Sequence, residues 1–288
     1  MSFPALPQRP EDGHKGTFGS VCVIGGQRSE DGLVMVGAPA LTAIAAMRSG
    51  CGMSILAMPQ PVLQAGLLSA PHSIGIELPV DDVGRIIPSS AIEAIDRHAN
   101  GCRCLAIGPG FGCGWEQQQI IATLIARDDR PIILDADGLN ALALLPSAQL
   151  DLRAPIVMTP HVGEYRRLAK AMGTNIESPE ELAQVYGCVL VLKSDTTQVF
   201  DGVRTTKITE GGVELATGGS GDVLTGIIAG LVAGYGIDGV SHVYDAAVLG
   251  AIIHARCGKS FASEHGNTGM LATDLLKRIP DVIATLRT

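Results

Sequence analysis

Ser20-Val-Cys-Val-Ile-Gly-Gly26, followed by Ala38-Pro-Ala-Leu-Thr-Ala-Ile-Ala-Ala-Met-Arg-Ser49 and Gly50, decides how the chain is read. The first stretch is apolar, rich in β-branched residues and without polar alternation, as expected of a strand buried on both faces. The second reads as a helix that stops at Gly50. Working outward, short apolar runs recur at Met53–Met58, Cys104–Ile107, Ile132–Leu134, Ile156–Met158 and Val189–Leu192, most of them separated by helical stretches. This alternation predicts an α/β fold with a mostly parallel central sheet and helices on both faces. Val199 to Thr209 breaks the rhythm, because Asp201-Gly202 separates two β-prone runs as a hairpin turn does. Beyond lie a glycine cluster at 218–221 and three helical segments beginning near Asp222, Ser241 and Met270. With no repeat or long linker, residues 1–288 read as a single domain.

Composition agrees. The 288 residues are 46% hydrophobic, 3% aromatic and include 36 glycines, too apolar for a disordered chain and without the every-third-residue glycine of collagen. Acidic residues outnumber basic ones 29 to 21, a formal net charge of -8 that argues against nucleic acid or an anionic membrane as partner. A bound phosphate must then be held by local groups. The seven cysteines, at 22, 51, 102, 104, 113, 188 and 257, form no CxxC pair, and most read as small buried hydrophobes of a reducing compartment. Met1–Lys15 has no apolar core of a signal peptide, and Val223–Ile237 is too short and glycine-rich for a membrane span, so a cytoplasmic location is expected.

In a parallel sheet, ligands gather at the carboxyl ends of the strands. Glycine and polar residues follow the predicted strands there: Gly25-Gly26, Gly108-Pro-Gly-Phe-Gly112, Asp135-Ala-Asp137, Thr159-Pro-His161 and Lys193-Ser-Asp-Thr-Thr197. Ala216-Thr-Gly-Gly-Ser-Gly-Asp222 leads into an apolar helix, a pattern that suits a phosphate cradle of backbone N–H groups or, more plainly, a tight loop capped by Asp222. Asp222 also sits where a general base would meet an acceptor hydroxyl. Gly108–Gly112 has the spacing GxGxG, so it is either a strand-to-helix turn or a loop passing close to a ligand, and it is not the dinucleotide fingerprint. Asp135 and Asp137 suit helix capping or a magnesium-related role. His161, in an HxxE spacing that is not a zinc motif, suits a structural hydrogen bond or a ligand contact. Lys193 suits solvent or a nucleotide phosphate.

Taken in order, these motifs resemble the ADP- or ATP-dependent NAD(P)H-hydrate dehydratases of the ribokinase-like superfamily. The matching segments are His14–Gly26, Gly37-Ala38, Gly108–Gly112, Leu134–Asn140, Thr159–Glu164, Val191–Lys193, Ala216–Leu224 and the late His254. The resemblance implies a three-layer α/β/α sandwich and repair of hydrated NADH or NADPH by dehydration with ADP (or ATP) and Mg2+. It further implies that Gly37, Ala38, Gly110, Gly112, His161 and Asp222 bind the hydrate. Lys193, Ser194, Asp195, Thr196, Thr197, Gly219, Ser220 and Gly221 would bind the adenine nucleotide, with Asp222 catalytic, no dedicated protein ligands for a metal, and a homo-oligomer, tetrameric in the family. The chain departs from the family pattern at Ser220, commonly threonine, at Ser194, usually glycine, at Gly212–Leu215 and at Glu30–Leu33. No epimerase domain is expected ahead of the dehydratase domain. The alternative within the superfamily is a kinase of hydroxyethylthiazole or hydroxymethylpyrimidine type, and outside catalysis a nucleotide sensor.

Overall fold

A computed structural model describes residues 4–127, 129–146, 152–173, 176–235 and 243–287. The chain runs through β1 (Ser20–Ile24), β2 (Gln27–Arg28), β3 (Val34–Met35), α1 (Gly37–Ser49), β4 (Met53–Pro59), α2 (Gln60–Ser69), β5 (Ile74–Leu78) and α3 (Pro88–Ala99). It continues through β6 (Cys104–Ile107), α4 (Trp115–Arg127), β7 (Ile132–Leu134), α5 (Asp137–Leu144), β8 (Ile156–Met158), α6 (Val162–Ala171), α7 (Pro179–Tyr186) and β9 (Val189–Leu192). The last elements are β10 (Thr197–Phe200), β11 (Thr205–Ile208), α8 (Ser220–Tyr235), α9 (Val243–His265) and α10 (Ala272–Thr285).

Nine strands form one sheet in the order β11-β10-β9-β8-β7-β6-β1-β4-β5, and β2 and β3 make a separate hairpin. The pairs from β9 through β5 are all parallel; β10 alone runs against them, antiparallel to both β9 and β11, and it joins β11 across the expected Asp201-Gly202 turn, where Gly202 has φ 84°. Successive residues of β1 point to opposite faces: Val21 and Val23 join a core with α1, α8, α9 and α10, whereas Cys22 and Ile24 join a core with α3 to α7. Both faces are therefore covered, and the expected three-layer α/β/α sandwich is present. The helix start placed near Ser241 lies outside the described residues. Among the described residues, no helix is long and apolar enough to cross a membrane.

The glycine and alanine content has a structural address in the contact between α1 and α8. A Cβ on Gly226 would lie 2.2 Å from the Thr42 carbonyl oxygen, one on Gly230 2.3 Å from that of Ala46, and one on Gly234 2.8 Å from Gly50. Three glycines at four-residue spacing thus let the two backbones touch. The close fit brings Thr42 Oγ1 to donate to the Asp222 carbonyl at 3.0 Å, which fixes the start of α8 against α1.

Candidate active site

The loops after β7, β8 and β9 and the start of α8 converge on a cavity of about 800 Å³. Its floor is the loop Thr217–Asp222. Gly219, at φ 87°, takes a left-handed conformation, and a Cβ there would strike Leu41 and Ala272. α8 starts at Ser220, two residues earlier than expected, so Asp222 lies in the helix's first turn and is not its cap. The apolar face of α8 buries nearly every residue behind it, which anchors a helix N-terminus whose free N–H groups and partial positive charge suit an anion.

Asp222 lines this cavity, with its acidity strongly suppressed. Burial, and secondarily the charge of Asp135, push its pKa up to about 7 against the opposing charge of Lys193. A carboxylate poised near neutrality is suited to accept a proton from a bound hydroxyl.

Asp135 follows β7 and is 1% exposed. One oxygen accepts from Lys193 Nζ at 2.7 Å and the other from Thr225 Oγ1 at 2.7 Å. Burial opposes its ionisation, but the Lys193 charge and these hydrogen bonds outweigh burial and hold its pKa below the usual value. Burial likewise works against the Lys193 charge, yet Asp135 and Glu164 keep its pKa above normal. Thr225 lies three residues after Asp222 on α8, so the strand-end aspartate grips the helix one turn beyond the candidate base. Between Asp135 and Asp137, Ala136 has φ 49°, strained backbone at the rim of the cavity.

His161 caps α6. Its Nδ1 accepts from the N–H groups of Gly163 at 2.9 Å and Glu164 at 3.3 Å, while Glu164 Oε2 accepts from the His161 N–H at 2.8 Å. The HxxE spacing is thus a capping box with histidine in the place of serine or threonine. The ring still borders the cavity, and its opposite nitrogen, Nε2, faces Glu164 Oε1 at 3.5 Å. Glu164 is buried, and chiefly for that reason its pKa is raised.

A family model described as NAD(P)H-hydrate dehydratase matches residues 21–281. The chain belongs to the NAD(P)H-hydrate dehydratase family. The bifunctional NAD(P)H-hydrate repair enzyme of Moorella thermoacetica is 36% identical over 289 residues, covering 98% of this chain and 52% of that protein. The chain therefore spans about half the length of the curated relatives it matches. Among solved structures, the ADP/ATP-dependent NAD(P)H-hydrate dehydratase of Bacillus subtilis, co-crystallised with ATP/Mg2+, superposes with a TM-score of 0.77 at 26% identity, covering 98% of this chain and 95% of that one. A ribokinase-like superfamily protein of Enterococcus faecalis, at 24% identity and a TM-score of 0.78 over 98% of this chain and 92% of its own, shares the fold.

In this member of the NAD(P)H-hydrate dehydratase family, the residues singled out from sequence fall into two groups. His161, Lys193, Ser194, Asp195, Thr197, Gly219, Ser220, Gly221 and Asp222 line the one cavity. Thr196 does not; its carbonyl accepts from Ser194 Oγ at 2.7 Å and shapes the turn. The second group clusters around the start of α1. A Cβ on Gly110 would lie 3.6 Å from that of Ala38, and Gly37 opens onto free space. Gly112 borders a smaller cavity of about 230 Å³ together with Gln27 and Arg28. Gly108, Gly110 and Gly112 all have positive φ, and a Cβ on Gly108 would lie 2.0 Å from the Asp135 carbonyl oxygen. Their alternation is thus a backbone requirement of the turn. Asp137 is no cap either: α5 begins at it, and its Oδ2 accepts from the Gly112 N–H at 2.9 Å, tying the glycine loop to the Asp135 loop.

No sequence reading assigns a role to Thr225 or to the wall formed by Glu210, Gly211, Gly212, Val213 and Leu215, which completes the cavity. For Thr225 the signal is its place one turn after Asp222; for the wall it is the departure from the family pattern at Gly212–Leu215. Among the described residues no group of three or more His, Cys, Asp or Glu side chains is placed to hold a metal ion. Asp135 engages both oxygens, with Lys193 and Thr225, whereas Asp137 engages Oδ2 with the Gly112 N–H.

Proposed function

We propose that this chain dehydrates the 6-hydroxy hydrate of NADH or NADPH at the expense of ADP, with ATP as the alternative phosphoryl donor. The observation that carries the reading is the juxtaposition, in one cavity, of the Gly219–Gly221 cradle, Lys193 and an Asp222 carboxylate whose pKa is raised to about 7. The nucleotide lies along Lys193–Thr197, its phosphates on the cradle. The hydrate is held by Gly37, Ala38, Gly110, Gly112 and His161, with its hydroxyl at Asp222.

Hydroxide is a poor leaving group, which is why the nucleotide is needed. Asp222 accepts the hydroxyl proton as the oxygen takes the terminal phosphoryl group, and the nucleotide leaves one phosphate shorter. The ring nitrogen's lone pair then expels phosphate from C6, and loss of a proton from C5 restores the dihydronicotinamide. Lys193 and the helix N-terminus stabilise the transferring charge. Magnesium belongs to this reading as the partner of the nucleotide phosphates, as the ion commonly is at such sites. A homotetramer in the cytoplasm completes the proposal, on the strength of the family resemblance.

The test is to incubate the purified chain with hydrated NADH or NADPH and each nucleotide in turn, following absorbance of the reduced nicotinamide. Recovery with ADP exceeding that with ATP is expected. No recovery with either, together with phosphorylation of hydroxyethylthiazole, overturns the reading.

A further inference from the structure

His254 projects from the middle of α9, is 8% exposed, and forms part of the wall of the 800 Å³ cavity. The chemistry above gives it no task. Its Nε2 lies 2.9 Å from Ser220 Oγ and 3.0 Å from the Ser220 carbonyl oxygen. Burial pushes its pKa down to about 4; the Lys193 charge acts in the same direction, and the hydrogen bond to Ser220 opposes both. The ring is therefore neutral at physiological pH and carries one N–H.

The carbonyl oxygen decides where that hydrogen sits. A carbonyl only accepts, so with the hydrogen on Nδ1 the Nε2 lone pair would face the oxygen lone pairs at 3.0 Å, a repulsive contact in a buried setting. With the hydrogen on Nε2 the same geometry is a hydrogen bond shared between the carbonyl and Oγ. Ser220 Oγ is then an acceptor toward His254, and its own hydrogen is free to point elsewhere. Ser220 is the first residue of α8, between Gly219 and Gly221, and lines the cavity. A donor at that point adds to the backbone N–H groups of the cradle.

We propose that His254 is a positioning residue, holding Ser220 so that the serine hydroxyl donates its hydrogen to a phosphate of the bound adenine nucleotide. The inference rests on the reading that nucleotide phosphates lie on the Gly219–Gly221 cradle. It also gives a consequence to the serine itself. Threonine is stiff at χ1, whereas an unbranched serine rotates more freely and depends on an outside partner to hold its rotamer.

The experiment measures dissociation constants for ADP and ATP by calorimetry with the wild type, Ser220→Ala, His254→Leu and the double variant. Loss of one hydrogen bond to a charged group predicts about tenfold weaker binding for each single change. The double variant binds no more weakly than Ser220→Ala, because both act through one hydroxyl. His254→Gln, whose amide donor reaches the place of Nε2–H, stays within about twofold of wild type. Losses that add in the double variant, or a Ser220→Ala protein that binds as tightly as wild type, overturn the inference. Should His254→Leu not fold, nitrogen-15 NMR of the histidine rings in the wild type reads the tautomer directly: the hydrogen on Nε2 is expected, and on Nδ1 overturns it. A wild type that binds both nucleotides but repairs no hydrate defeats the proposed function while leaving the positioning role intact.

Discussion

Lys193 Nζ and Asp135 Oδ1 lie 2.7 Å apart, and through this pair the end of β9 is tied to the end of β7. Because the other Asp135 oxygen holds Thr225, the pair also reaches α8. Asp135→Asn keeps the shape but removes the carboxylate in contact with Lys193, leaving that charge only the attraction of Glu164 and Asp222. Breaking a buried ion pair from one side costs about 3 kcal/mol or more. Urea denaturation should show a loss of that size, and a variant as stable as wild type would mean the pair contributes nothing to folding.

The pH profile of repair follows from Asp222. As a base it must be ionised, so kcat/KM at saturating nucleotide should rise through a midpoint of about 7. Asp135 raises this pKa and Lys193 lowers it. Asp135→Asn should therefore move the midpoint to lower pH, and Lys193→Met to higher pH. Shifts in the same direction for both would remove Asp222 as the titrating group.

Asp222→Asn should abolish turnover, by about 10²–10⁴-fold, with nucleotide affinity largely kept. Its stability effect has the opposite sign. The folded pKa of about 7 exceeds the ordinary 3.8, so the folded state binds the proton more tightly than the unfolded chain. The stability this confers is present below the unfolded pKa and is lost as pH rises toward 7. Above that, the buried charge costs up to about 4 kcal/mol, the pKa difference expressed as free energy. Thermal unfolding should therefore show the asparagine variant gaining stability over wild type more at pH 8 than at pH 5. A gain independent of pH would contradict the assigned shift.

Gly230→Ala tests the α1–α8 contact. The new methyl would lie 2.3 Å from the Ala46 carbonyl oxygen, backbone that has no room to yield. Overpacking of this kind costs about 1–3 kcal/mol, against the small gain in helix propensity that alanine brings. Chemical denaturation reads the balance; since Asp222 is fixed to α1 through Thr42, turnover should fall as well.

The strands of the parallel sheet were legible because each is buried on both faces and so reads as an unbroken apolar run; β6, β7, β8 and β9 begin and end where the sequence places them. β5 was not, since it lies at the sheet edge with Ile74, Gly75 and Glu77 exposed, and its residues carry no comparable signal. That Gly219, Gly221 and Lys193 would gather at one cavity was legible for a chemical reason, as glycine and charge are costly where they serve nothing. The tasks of Asp135 and Asp137 were not, because their partners Thr225 and Gly112 come from other elements and only the folded chain brings them together. His161 shows the limit most sharply, since its cap is a local pattern that only the bonding geometry reveals.

His161→Asn separates the two tasks the histidine can perform. Asparagine is a strong N-cap, and its side-chain oxygen can take the place of Nδ1 as acceptor for the Gly163 and Glu164 N–H groups. The cap is then kept, and the melting temperature should stay within about 2 °C of wild type, whereas His161→Ala should lose about 1 kcal/mol. What asparagine does not replace is the rest of the ring, whose Nε2 stands near Glu164 at the cavity rim. If the ring meets the hydrate, KM for the hydrate should rise about tenfold in the asparagine variant, the value of one hydrogen bond, while KM for the nucleotide does not move. An unchanged KM for both substrates, at unchanged stability, would reduce His161 to the cap of α6.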